Sequence, residues 1–198
     1  MLFDAGAIRF VISRRPLAAP GLRLLEHSPR DARQPWPVHL YEYERALPRA
    51  YLAYRSVPVS GLSELPLRLG DGFDARRATV VEGREARLDG PATIEAVERT
   101  SESPERLRFE IAPVRPAVLV VTDSWYPGWR AWVDGVESPI LRVNGLFRGV
   151  PVGAGAQRVE MRFEPWTFRA GAALSLVAAA AVTALTVVAG VRRHTPPE

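Results

Sequence analysis

Residues 117–163 read AVLVVTDSWYPGWRAWVDGVESPILRVNGLFRGVPVGAGAQRVEMRF, and this stretch decides the fold. Asp134-Gly135 separates Trp132-Val133 from Val136-Glu137, and Asn144-Gly145 separates Leu141-Arg142-Val143 from Leu146-Phe147-Arg148. Both central positions of a two-residue type I′ hairpin need positive φ, and Asp-Gly and Asn-Gly supply it at little cost. Gly153 and Gly155 mark a third turn. Beyond it Val159, Met161 and Phe163 alternate with Arg158, Glu160, Arg162 and Glu164, the signature of a strand with one wet face. At the other end Ala117 to Val121 is unbroken apolar sequence, expected to be a central strand buried on both faces. The stretch therefore predicts an antiparallel meander of short strands, which favours a β-sandwich.

Working outward, Leu107, Phe109 and Ile111 alternate with Arg106, Arg108 and Glu110, so the β pattern extends back to about Ala78. Residues 58–78, with Pro58, Gly61, Pro66, Gly70 and Gly72, read as a linker with one helical turn near Leu62 to Leu67. Residues 1–57 form a small α+β segment in which Ile8–Ser13, Leu22–Glu26 and Val38–Tyr43 are strand-like. Prolines 16, 20, 29, 35 and 37 fall between these runs and never inside one. The expected architecture is mainly β: the small segment, the linker, a sandwich-like domain over 79–166, and a membrane helix.

That helix is AGAALSLVAAAAVTALTVVAGV, residues 170–191, without charge or proline. At about 1.5 Å per residue it spans roughly 33 Å, matching a hydrocarbon core of about 30 Å. Trp166 and Phe168 stand where an aromatic belt belongs, and Arg192, Arg193 and His194 open a short tail, 192–198. Gly171, Ser175 and Ala179 recur at the four-residue spacing that lets another helix approach closely. The basic tail is expected in the cytoplasm and residues before the helix outside it. Yet MLFDAGAIRFVIS has an early acid, no basic leader and no adequate apolar run, so it does not read as an export signal. The two expectations are reconciled if the sequence is the C-terminal part of a larger polytopic protein, whose other helices are then its partners along with the bilayer.

Composition narrows the chemistry. All 26 basic residues are arginine and interleave with 22 acids, so the net charge of +4 forms no stripe and nucleic acid is not expected as a partner. There is no cysteine, which excludes disulfides and thiol catalysis. The three histidines, His27, His39 and His194, have no ligand spacing, so neither metal nor cofactor is expected. No G-x-S-x-G elbow occurs, and Gly70-Asp71-Gly72 and Gly153-Ala154-Gly155 are turns rather than nucleotide loops.

One segment concentrates unusual residues. Asp123-Ser124-Trp125-Tyr126-Pro127-Gly128-Trp129-Arg130-Ala131-Trp132 holds three of the five tryptophans. Indole faces stack on the C–H surfaces of sugars, and Asp123, Arg142, Asn144 and Arg148 supply polar groups for hydroxyls. The other reading is core aromatics with an arginine–acid pair holding a corner of the sandwich. Strand alternation puts Trp129 and Ala131 on one face and Arg130 and Trp132 on the other. The exposure of Trp125, Trp129 and Trp132 decides between the readings.

Here the sequence resembles a family. The Thr122-Asp123 strand end, Tyr126 to Trp129, Val133 to Gly135, Arg142 to Asn144, Phe147-Arg148, Pro151 to Gly153 and Pro165 to Phe168 are similar to the C-terminal signature of the bacterial YfhO membrane proteins. IRFVIS, YEYERALPRAYL and GFDARRATVVEG upstream also resemble segments of that family. The resemblance implies a polytopic protein of the GT-C glycosyltransferase type, using polyprenyl-phosphate sugars outside the membrane. It places the catalytic carboxylate after the first membrane helix, ahead of this sequence, so no catalytic residue carries over. The expectation is an accessory extracytoplasmic domain plus last membrane helix. It binds glycan or covers the active site through Asp123, Trp125, Tyr126, Trp129, Arg142, Asn144 and Arg148. The alternative is a purely structural, membrane-tethered β-domain.

Overall fold

The computed structural model describes residues 6–30, 35–70, 72–83, 87–100 and 103–193, with the side chains of 169 and 187–193 excepted. Asp71 of the Gly70–Gly72 turn, the side chains of Arg192 and Arg193, and the tail from His194 therefore lie outside the described residues. The molecule is mainly β. A first sheet holds β1 (Phe10–Ser13), β3 (Val38–Tyr43) and β2 (Leu22–Ser28) in that order, all antiparallel. The main body is two facing sheets. One has four strands: β10 (Val136–Ser138), β9 (Trp129–Val133), β13 (Arg158–Phe163) and β7 (Arg106–Glu110). The other has six: β5 (Thr79–Glu82), β11 (Leu141–Val143), β12 (Phe147–Val152), β8 (Ala117–Ser124), β4 (Ala50–Val59) and β6 (Asp89–Ala96).

Alternation builds the core between the sheets. Leu107 and Phe109 of β7, Val159 and Met161 of β13 and Ala131 of β9 face Leu52, Leu119, Val121 and Val150 of the larger sheet, all buried. The expected central strand is confirmed: Ala117 to Val121 is buried throughout, between β12 and β4. Its other face, Val118 and Val120, joins Tyr51, Ala53, Val81 and Val143 in a second cluster on the far side of the same sheet. Close packing of that sheet requires Gly149, where an added Cβ would sit 2.4 Å from Val143 Cγ1. Both hairpin turns form as read, with φ of +49° at Asp134 and Asn144 and +85° and +77° at the following glycines.

β4 is the strand the sequence hides. Its first half pairs antiparallel with β8, while Ser56 to Val59 pairs with β5, the one parallel ladder among the described residues. Because β5 also bonds β11, the strands β4, β8, β12, β11 and β5 close into a ring. β4 runs across the boundary expected at 57–58, so the N-terminal segment contributes one strand to the main sheet. The helical turn expected in the linker forms as a 3₁₀ turn, Leu62–Glu64, followed by α1, Leu65–Arg68. Among the described residues before it there are strands, turns and loops and no helix.

The terminal helix α2 runs from Trp166 to Arg193, starting four residues ahead of the expected 170. Its segment Trp166–Thr186 is long and apolar enough to cross a membrane, and none of it is buried against the β-domain. The Thr183 hydroxyl donates to the Ala179 carbonyl at 2.8 Å and the Thr186 hydroxyl to the Thr183 carbonyl at 2.8 Å, so these two hydroxyls are satisfied within the helix.

Candidate functional site

Of the seven residues singled out in the sequence, six fall into three groups and Tyr126 stands apart. In the first, β12 carries Arg148 into the rim of the inter-sheet core, where it is 3 % exposed. Its Nη2 donates to Asp123 Oδ2 at 2.9 Å and its guanidinium lies 3.9 Å from the centroid of Trp129. Nε and Nη1 are buried without a hydrogen-bond partner, so the indole stack and the carboxylate hold the charge. Asp123 also accepts from Arg49 Nη2 at 2.7 Å. Burial pushes the Arg148 guanidinium below its ordinary pKa, Asp123 pulls it back, and Arg49 pushes with burial. This is the arginine–acid corner of the second reading.

The second group is Trp125 and Arg142. The Arg142 guanidinium lies 4.4 Å from the Trp125 centroid and 3.6 Å from Glu82, and the indole Nε1 donates to the Ile140 carbonyl at 3.4 Å. Arg142 and Arg148 are direct cross-strand partners. Like charges there repel. Each is answered by its own carboxylate, Glu82 for Arg142 and Asp123 for Arg148.

Asn144 forms the third group. It is buried, and its Oδ1 accepts from the Val80 backbone N–H at 2.9 Å and from the Thr79 hydroxyl at 3.1 Å. Its Nδ2 donates to the Tyr51 hydroxyl at 3.3 Å, and its backbone N–H donates to the Val80 carbonyl at 2.8 Å. Burial holds the Tyr51 hydroxyl above its ordinary pKa, opposed by the bond from Asn144, so Tyr51 stays neutral. The amide is bonded inside the protein through both its oxygen and its nitrogen, and fastens β5 to the hairpin.

Tyr126 is the outward member, 63 % exposed. Its ring centroid lies 6.2 Å from that of Phe163, and Trp129 lies 5.4 Å from the same ring. Gly128, at φ +105°, lets the Tyr126–Trp129 turn press on the end of β13: an added Cβ would meet Phe163 and Pro165 at 3.1 Å. The Glu164 N–H closes the contact by donating to the Gly128 carbonyl at 2.6 Å. Trp125, Trp129 and Trp132 are all half-buried. Trp129 points into the core and Trp132 out of it, as alternation required.

Sequence reasoning missed the partners that fix these residues: Arg49 and Tyr51 from β4 and its approach, Thr79 and Glu82 from β5, and Phe163 of β13. They are 34 to 93 positions away from the groups they hold, and no local pattern marks such pairings.

No protein-family model matches the sequence, and no curated protein does. Among solved structures the chain is similar to the arabinofuranosyltransferase AftD from Mycobacteria, at 27% identity and a TM-score of 0.34. That likeness covers 39% of this chain and 6% of the mycobacterial one, so the chain spans a small fraction of the enzyme it matches.

Proposed function

We propose that this chain is a membrane-anchored accessory domain of cell-envelope glycan transfer. It is the extracytoplasmic C-terminal part and last membrane helix of a YfhO-like protein of the GT-C type. In this reading the domain holds a glycan, or covers the active site of a catalytic partner region, and performs no bond chemistry. The tail after Arg193 lies in the cytoplasm. The family assignment rests on the resemblance of the motifs from Thr122 to Phe168.

One observation carries the reading. The aromatic turn Tyr126–Trp129 is bonded to the junction where β13 gives way to α2, with only Glu164 and Pro165 between strand and helix. A domain anchored through α2 would hold Tyr126 and the Trp125–Arg142 stack beside the headgroup layer. Sugars on polyprenyl phosphate are presented at that level. The aromatic ring supplies a stacking surface and Arg142 a donor fork for hydroxyl or phosphate oxygens.

The test uses the full chain in phospholipid nanodiscs containing a polyprenyl-phosphate monosaccharide. Wild type is expected to retain the lipid-linked sugar, and Tyr126→Ala combined with Trp125→Ala is expected to release it with the fold intact by circular dichroism. Unchanged retention in that variant, together with unchanged transferase activity of host membranes carrying it, would sink the proposal. A structural role is the second reading. It is favoured by the internal engagement of Asn144, Arg148 and Trp129, and it predicts that variants at this corner change stability alone.

A further inference from the structure

On the opposite face of the smaller sheet, away from the Tyr126 turn, β9 and β13 carry a groove of about 650 Å³. Its wall includes Trp132, the tryptophan that alternation sets apart from Trp129. We propose that this groove binds a neutral saccharide, with Trp132 as the stacking platform. The inference rests on the glycan reading above but places contact at a separate surface.

Three features argue for this ligand. First, the volume falls in the range of about 300–1,000 Å³ usual for small-ligand sites. Second, the ring is held in place. Arg130 and Arg162, cross-strand partners, lie 5.2 and 5.0 Å from the Trp132 centroid. They form the next pair on the same face, two residues along the strands from the Trp132–Glu160 pair. Asp134, Arg158 and Glu110 lie in the other direction, where the groove opens. The two arginines hold the indole in place, and the part of it that lines the groove is what a ligand would meet.

Third, the lining is charged but nearly balanced. Glu110, Asp134 and Glu160 stand against Arg158 and Arg162, with Gln157 beside them. Most of these charges are already paired: Arg158 with Glu110 at 3.1 Å, and Glu160 with Arg162 at 2.9 Å and Arg108 at 3.0 Å. Asp134 accepts from the backbone N–H groups of Gln157 and Arg158. With Arg108 beside Glu160 the three acids meet three arginines, so the surface offers little net field to a phosphate or a cation. It offers rigid, pre-oriented donors and acceptors in alternation beside an aromatic face, and vicinal hydroxyls can bridge these without separating an ion pair.

The experiment titrates the full chain, in phosphatidylcholine nanodiscs, with neutral hexasaccharides of glucose, mannose, galactose and arabinose. Tryptophan fluorescence and calorimetry report binding. At least one hexasaccharide is expected to saturate a fluorescence change. Trp132→Ala is expected to weaken it by roughly tenfold or more, the loss typical of removing an aromatic anchor. Gln157→Ala, on an exposed loop position, is expected to weaken it several-fold with no effect on folding. Tyr126→Ala should leave it unchanged. The proposal is overturned if no neutral hexasaccharide binds, if only phosphorylated or uronic oligosaccharides bind, or if binding survives both Trp132→Ala and Gln157→Ala. Loss of binding in Tyr126→Ala alone would likewise overturn it while supporting the other surface. Loss in Trp132→Ala with lipid-linked sugar still retained would separate this site from the first.

Discussion

Asn144 combines two roles that usually belong to different residues. Its backbone takes the left-handed conformation of the turn, and its amide bonds the Val80 N–H and the Thr79 hydroxyl of a strand 64 and 65 positions away. Alanine would orphan a buried N–H, at about 1–3 kcal/mol, and would carry a left-handed backbone penalty of about 1–2 kcal/mol. Asn144→Ala is therefore expected to lose about 2–4 kcal/mol in denaturant unfolding of the full chain in detergent. Asn144→Gly, which relieves only the backbone, should recover about 1 kcal/mol of that. The Asp123–Arg148 pair makes a different prediction. Removing Asp123 leaves a guanidinium buried opposite Arg142, so Asp123→Ala should cost about 3 kcal/mol. Arg148→Met fills the same space without charge and should cost about 1 kcal/mol or less, and the double variant should resemble Arg148→Met rather than the sum. A double-mutant cycle in the same assay reads the difference.

At the level of strands, the wet face of the smaller sheet sets the acid limb of stability. The hydrogen bond from Arg162 beside Glu160, reinforced by the charges of Arg108 and Arg162 against the opposing effect of burial, holds its carboxyl below the ordinary value of 4.5. A carboxyl depressed in the folded state stabilises fully above its unfolded pKa, and that contribution is lost as pH falls through the folded value. Thermal midpoints should thus decline once pH drops below about 4.5, and Glu160→Gln should show a shallower decline than wild type over that window.

The strands of this sheet, and the β11–β12 hairpin of the larger one, were legible because their cause is local. Alternation at Leu107–Ile111 and Val159–Phe163 and positive-φ dipeptides at 134 and 144 specify strand and turn without reference to the rest of the chain. β4 and β6 were not. AYLAYRSVPV is buried on both faces in its first half and contains Pro58, so it shows neither alternation nor a clean end. β6 begins DGP, a turn signal on sequence grounds, and is tolerated because it lies at the sheet edge. At the candidate site the residue types and the arginine–acid corner were readable. Which arginine met which acid depended on the bulge between Phe147 and Arg148 and on strands from the other end of the chain.

For the whole molecule the governing contrast is between a β-domain with two clusters of buried side chains and a helix with none of its apolar span covered. A 21-residue segment of this kind is not stable facing water. In carbonate extraction the full chain is expected in the membrane pellet, and a version ending at Pro165 in the supernatant. That shorter version should keep the β-domain's near-ultraviolet circular dichroism, because the helix contributes nothing to its core.

The ring formed by the parallel β4–β5 ladder bears on how the chain reaches this state and stays in it. Closure leaves β5 and β11 without a free edge, and the open flank of the six-stranded sheet is β6, which Pro91 and its acidic ends make a poor template for another chain. The same closure sets the order of assembly. Ala50 must wait for Val121, and Ser56 for Thr79 after its loop has formed, so β4 stays unsatisfied until most of the domain has emerged. High sequence separation of this sort slows folding. Until then the apolar first half of β4, Ala50 to Tyr54, has no partner, and α2, which follows the whole domain in the chain, is made too late to tether it; protection against misassembly must then come from the order of emergence or from a chaperone rather than from the finished edges.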